Sequence, residues 1–157
     1  MTTPYTIEAY YRIDKPDQPV IITSPGELDR MIDELLTQPT EYSGATLYVR
    51  QRPWSPAGFP DHELYIGVDV DSGHGVLIYS GAKGRGEAGS YVSRNPAGRR
   101  DLRHRYHHFQ TEVAVPAGAD ILLADVRSAA HEFLTNGGER PSCVQWSPYH
   151  DDTGAAR

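Results

Sequence analysis

Apolar positions along this chain follow two periods, and the change between them predicts the architecture. From Leu122, apolar or small residues fall at Leu122, Leu123, Val126, Ala129, Ala130, Phe133 and Leu134. This is the stripe of a helix with one buried face, leaving Asp125, Arg127, Ser128, His131 and Glu132 to water. Asn136-Gly137-Gly138 supplies residues that tolerate the left-handed conformation of a helix end, and Pro141 prevents resumption. A second helix is predicted after Ser24-Pro25-Gly26-Glu27, where Ser24 can cap, Pro25 suits the first turn and Glu27 can complete a capping box. Leu28, Met31, Ile32, Leu35 and Leu36 then repeat at helical spacing until Pro39.

Elsewhere the period is two. Residues 5–13, 20–23, 46–51, 63–70 and 75–80 read as strands, with Leu64, Ile66, Val68 and Val70 sharing one face. Asp71-Ser72-Gly73-His74 carries hairpin chemistry and joins the last two antiparallel. Shorter strands are predicted at 90–93, at 109–115 (Phe109, Thr111, Val113 and Val115 on one face) and at 142–146, where Cys143 and Trp146 are expected in the core. The sum is an α+β fold: an antiparallel β-meander covered by two amphipathic helices. Residues 1–147 are expected to form one domain, with 148–157 as a flexible tail.

Charge and composition narrow the function. The net charge of −6 is uneven: residues 1–80 carry −7, residues 81–105 carry +5 and residues 106–157 carry −4. An acidic majority repels bare nucleic acid and attracts a basic partner. One cysteine excludes an internal disulfide, and neither a secretory leader nor a membrane-spanning run is visible, so a cytoplasmic location is expected. An unpaired sheet edge leaves a monomer or a weak homodimer open.

Candidate chemistry is thin. Gly81 to Gly89 lacks the Lys-Ser/Thr pair and the following helix of a phosphate loop, and reads as a flexible hairpin loop. His104, His107 and His108 do not converge as metal ligands on an extended segment. Cys143 has no evident base beside it, and no Ser-His-Asp order occurs. No catalytic residue, metal or cofactor is therefore expected. Residues 83–105, basic, with Tyr91 among them and Tyr106 next in the chain, are an alternative site for nucleic acid or a nucleotide. Trp54 and Phe59 stand out in the proline-rich loop 52–62, because large aromatics there are either folded back over the core or used for binding.

The carboxy-terminal pattern Phe133, Leu134, Thr135, Gly138, Arg140, Pro141, Val144 and Trp146 resembles the end of the first numbered family of immunity proteins of bacterial polymorphic-toxin systems. The resemblance implies a protein that binds a cognate toxin and blocks it stoichiometrically, without a cofactor. Toxins met by that family are often nucleic-acid-directed enzymes such as deaminases or nucleases. From charge and loop position, Trp54 and Phe59 are the expected apolar anchors, with Asp61, Glu63, Asp69 and Asp71 as acidic contacts on the same edge.

Overall fold

The computed structural model describes residues 5–54, 56–81 and 89–149. It begins with β1 (Ile7–Tyr10), β2 (Val20–Ile22) and α1 (Pro25–Leu35). Ser24 caps α1 as expected, its hydroxyl accepting from the Glu27 N–H at 3.2 Å. The Glu27 carboxylate reaches one residue further back than the usual capping box, accepting the Thr23 N–H at 3.0 Å. That bond and the one from the Thr23 hydroxyl hold the Glu27 carboxyl below the usual range.

After a short turn come β3 (Gly44–Val49), β4 (His62–Asp69), β5 (His74–Gly81) and β6 (Gly89–Arg94). The glycine-rich residues 82–88, read as a hairpin loop, lie outside the described residues; β5 and β6 on either side of them pair antiparallel. A small ribbon, β7 (His107–His108) and β8 (Thr111–Glu112), precedes β9 (Ile121–Leu122), α2 (Leu123–Thr135) and β10 (Gln145–Pro148). The main sheet runs β2-β1-β3-β4-β5-β6-β10, every pairing antiparallel, and β9 joins β5 at His74 and Gly75.

Both helices lie on one face of the sheet. Leu28, Met31, Ile32 and Leu35 of α1, with Val126, Ala129, Ala130, Phe133 and Leu134 of α2, meet the inward residues of the strands, Leu47, Leu64, Ile66, Leu77 and Tyr79 among them. Strand alternation sends Tyr65, Val76, Ile78 and Val92 to the opposite face, where Leu102, Tyr106, Ala119 and Tyr149 cover them. Among the described residues, no helix is long and apolar enough to cross a membrane.

Four sequence expectations are corrected. Residues 109–115 are not a strand: Phe109 (φ 47°) and Gln110 (φ 71°) form the turn of the β7–β8 ribbon, which reverses the chain. Leu122 is 55% exposed rather than on the α2 stripe, because it is the extended residue before the first helical turn and pairs with β5. Arg127 and His131, placed in water by periodicity, cross to α1 and engage Asp29, at 3.2 and 3.1 Å. Finally, the last strand starts at Gln145, not Ser142. The Glu132 carboxylate accepts the N–H groups of Ser142 and Cys143, at 2.7 and 3.1 Å, and bends that segment against α2. Cys143 is consequently exposed, while Trp146 is half-buried against the core, as expected of a core residue at a sheet edge. Pro148 belongs to β10 and Tyr149 is buried; residues 150–157 lie outside the described residues.

Candidate functional site

The face opposite the helices is covered over only part of its width. Beyond β4 the polar-side positions of β1 and β3 carry Glu8, Tyr10, Thr46 and Tyr48, and these floor a cleft of about 500 Å³. One wall is the loop from Arg52 to Pro60 with Trp54 and Phe59; the other is His108 and Phe109 of the ribbon. Trp54 and Phe59 are 64% and 68% exposed, the most exposed large apolar side chains among the described residues. Of the two readings the sequence left open for this loop, folded back over the core or displayed, the structure shows its aromatics displayed.

The loop is closed at its neck. Arg52, where it leaves β3, and Asp61, where it enters β4, are both buried and form an ion pair at 3.1 Å. Arg52 also donates to the Gly138 carbonyl at 2.6 Å, and the Tyr79 hydroxyl donates to the same oxygen at 2.9 Å. His62 completes the network. Its Nε2 accepts the Val49 N–H at 2.7 Å, so Nδ1 carries the proton and donates to Asp61 at 2.9 Å. Gly138 after α2 is required here: its φ is 90°, and a Cβ would stand 2.9 Å from both the Arg52 Cδ and the His62 ring. Thus the glycine of the carboxy-terminal pattern is the surface on which the aromatic loop is seated. Trp54 bridges to Pro60 across the loop and narrows it further.

The ribbon wall is held against its own preferences. Phe109 and Gln110 both occupy the left-handed region, which bulky residues seldom adopt. The Gln110 N–H donates to the Glu41 carbonyl at 2.8 Å, and the Phe109 ring stands edge-on to Tyr42, centroids 6.4 Å apart. Tyr65 anchors the ribbon from beneath by donating to the His107 carbonyl at 2.7 Å. Burial lowers the pKa of His108, partly offset by the Glu63 carboxylate and by a hydrogen bond to the Tyr10 backbone. Its Nε2 is buried with no hydrogen-bond partner. On the floor, the Tyr48 hydroxyl donates to Glu63 at 2.5 Å, and burial followed by that carboxylate raises the phenol pKa well above its ordinary value. Tyr48 is a neutral hydroxyl at any working pH.

The acidic contacts expected from sequence do not share one edge. Asp61 and Asp69 are 9% exposed and turned inward, Asp61 to Arg52 and His62, Asp69 to Arg99 and Ser72. Neither offers a surface carboxylate, because a buried acid needs an internal partner. Glu63 lies behind Tyr48 at the cleft. Asp71 is exposed, but β4 separates it from Trp54, and eight strand residues span roughly 25 Å. Tyr10, Tyr48 and Arg52 were not singled out by sequence, and His108 and Phe109 were weighed only as a metal ligand and a strand residue. Aromatics at the solvent-side positions of β1 and β3 were the available signal.

In the basic stretch, Arg99 turns inward to Asp120 and Asp69, at 2.6 and 2.9 Å, and Arg103 pairs with Asp101 at 3.1 Å. Arg94, Arg100 and Arg105 are exposed, and Lys83 and Arg85 lie outside the described residues. Partial burial and the adjacent Glu132 push the Cys143 thiol up to about 11, so it is protonated at neutral pH and a poor nucleophile. Among the described residues, no group of three or more His, Cys, Asp or Glu side chains could hold a metal ion.

The family model described as Immunity protein Imm1 matches residues 16–148, which ends where β10 ends. That span is more than half of the chain, and the chain belongs to this immunity-protein family. No curated protein matches it.

Proposed function

We propose that this chain neutralises a cognate toxin by docking through the cleft between the Trp54–Phe59 loop and the β7–β8 ribbon. Family membership supports a toxin partner, and one observation carries the choice of surface: two large aromatic side chains are left exposed on a loop whose neck is locked by a buried ion pair. Rigid, exposed aromatics lose little entropy on binding and bury much apolar area, which is the profile of an interface anchor. Trp54 and Phe59 are the anchors, with Tyr10 and Phe109 completing the apolar surface and Glu63 placed behind it. Asp61 acts through the loop, by holding Arg52. The toxin is a nucleic-acid-directed enzyme, a deaminase or nuclease, whose basic substrate cleft is drawn to an acidic protein of net charge −6. Inhibition is by occlusion, one to one, with no chemistry on the immunity protein's side.

The test is inhibition of the purified toxin by the Trp54→Ala, Phe59→Ala double variant. Two anchors of this type predict a loss of affinity of about a hundredfold or more, with thermal stability unchanged because both side chains are exposed. Undiminished inhibition by a folded double variant contradicts the proposal.

A further inference from the structure

The charged side chains that line the cleft are Glu8, Arg50 and Arg52, and each already has a partner. Glu8 lies 3.3 Å from Arg50, and Arg52 is buried 3.1 Å from Asp61. On the floor, the Tyr48 hydroxyl donates to Glu63 at 2.5 Å and is also bonded to Thr46. The His108 Nε2 is buried beneath the wall, out of reach of anything that enters. What the cleft presents to an incoming group is therefore ring and carbon, from Tyr10, Pro16, Trp54, Phe59 and Phe109. Two of these rings already stand edge-on to a neighbour, Tyr10 to Tyr48 with centroids 6.0 Å apart and Phe109 to His108 at 4.7 Å. A charged occupant of either sign would lose hydration and meet no free counter-charge, whereas an apolar one has no such cost.

We infer that the cleft is a socket for one aromatic side chain of the toxin, inserted between the Trp54–Phe59 loop and the β7–β8 ribbon. Size supports a ring. An apolar cavity of about 150 Å³ encloses a benzene molecule, so the cleft's volume of about 500 Å³ has room for a ring and for the backbone that carries it. An aromatic occupant is favoured over an aliphatic one because it continues the edge-to-face packing of the floor and wall, and such pairs contribute beyond the area they bury. Interface anchors also tend to meet anchors on the partner, and Trp54 and Phe59 stand exposed on the same cleft. The inference rests on the docking surface proposed above and adds its direction: the toxin supplies the knob, and this chain supplies the hole and its aromatic rim.

The first probe is N-acetylphenylalanine amide titrated into the full-length protein, with the Trp54 indole and the Tyr10 and Thr46 amide signals followed by NMR. Saturable shifts of all three are expected near 1 mM, about what so small a ligand can reach. The leucine, arginine and glutamate amides should bind more weakly. The second probe is Thr46→Phe, which fills the cleft from its floor and leaves the Trp54–Phe59 loop in place. Losing one anchor's site should weaken toxin inhibition about thirtyfold and abolish the shifts. Equal or tighter binding of the leucine, arginine or glutamate amide overturns the inference, as does the absence of saturable shifts. Undiminished inhibition by a folded Thr46→Phe overturns it too, and should that variant not fold, the titration of the unaltered protein decides alone. Its failure is separable from that of the docking surface. If the Trp54→Ala, Phe59→Ala variant loses inhibition while the phenylalanine amide does not bind, the surface stands and the socket falls. If the double variant still inhibits, the surface itself is wrong.

Discussion

The back of this sheet has two halves built on the same alternation and finished differently. Over β4, β5 and β6, the outward residues Tyr65, Ile78 and Val92 are sealed by Leu102, Tyr106, Ala119 and Tyr149. The seal is bolted by Arg99, which donates to Asp120 at 2.6 Å and to Asp69 at 2.9 Å. Burial works against the charge on Arg99, but those bonds prevail and its pKa is raised. Asp69 is likewise held below the carboxylate range, burial opposing and the bonds from Arg99 and Ser72 prevailing. Over β1 and β3, Glu8, Tyr10, Thr46 and Tyr48 are walled by a clasped loop and a strained turn and left open. The two halves differ in their internal cover and in their outward residues, apolar over β4 to β6 and mixed polar and aromatic over β1 and β3.

That contrast can be broken on its closed side first. Asp120→Ala removes a fully buried carboxylate and leaves the Arg99 guanidinium half-paired. A loss of about 3–5 kcal/mol is expected, read by urea denaturation, with near-native stability as the contrary result. Next in size is Gly138→Ala, which meets Arg52 and His62 at 2.9 Å and forces φ of 90° on a residue with a Cβ. About 1–3 kcal/mol of strain is expected. Because the clash falls on the loop's neck, toxin inhibition should weaken with it. A variant that lost stability yet inhibited normally would separate the clasp from function.

How much of this was legible in the sequence follows from where interactions are local. The α1 stripe and its Ser24 cap, the β4–β5 hairpin and the stop after α2 depend on neighbours within a few residues, and each was predicted at or near its place. Misread segments are those fixed from afar. Phe109 and Gln110 turn because Glu41, Tyr42 and Tyr65 hold the ribbon. Ser142 and Cys143 bend because Glu132 captures their N–H groups. The site shows the same division. Trp54 and Phe59 were conspicuous as aromatics in a proline-rich loop, whereas Asp61 and Asp69 looked like surface acids because their partners, Arg52 and Arg99, are recognisable only after folding. Tyr10 and Tyr48 reach the cleft through a pairing between strands far apart in the chain.

Smaller effects sharpen the contrast. Ser24→Ala, on the helical face and far from the cleft wall, should cost about 1 kcal/mol of stability through the lost cap and leave inhibition intact. A functional defect there would move attention to the helices. His108 gives the mildest effect. Its folded pKa lies below the ordinary 6.5, so between those two values the unfolded chain binds more protons. Stability should therefore be full above about pH 6.5, fall as pH drops toward the depressed value and level off beneath it. His108→Phe should remove that slope, and an unchanged slope would assign it elsewhere.

In the proposed docking, the toxin covers the open half of the sheet's back face. Amide hydrogen exchange of the protein alone and in complex with its toxin, captured from the native cell, reads that cover residue by residue. Slowed exchange is expected in residues 46–50, 56–61 and 107–111, with α1, α2 and the exposed basic residues of 94–105 unchanged. Protection concentrated on the helices or on the basic stretch, with the Trp54–Phe59 loop exchanging as in the free protein, would contradict it.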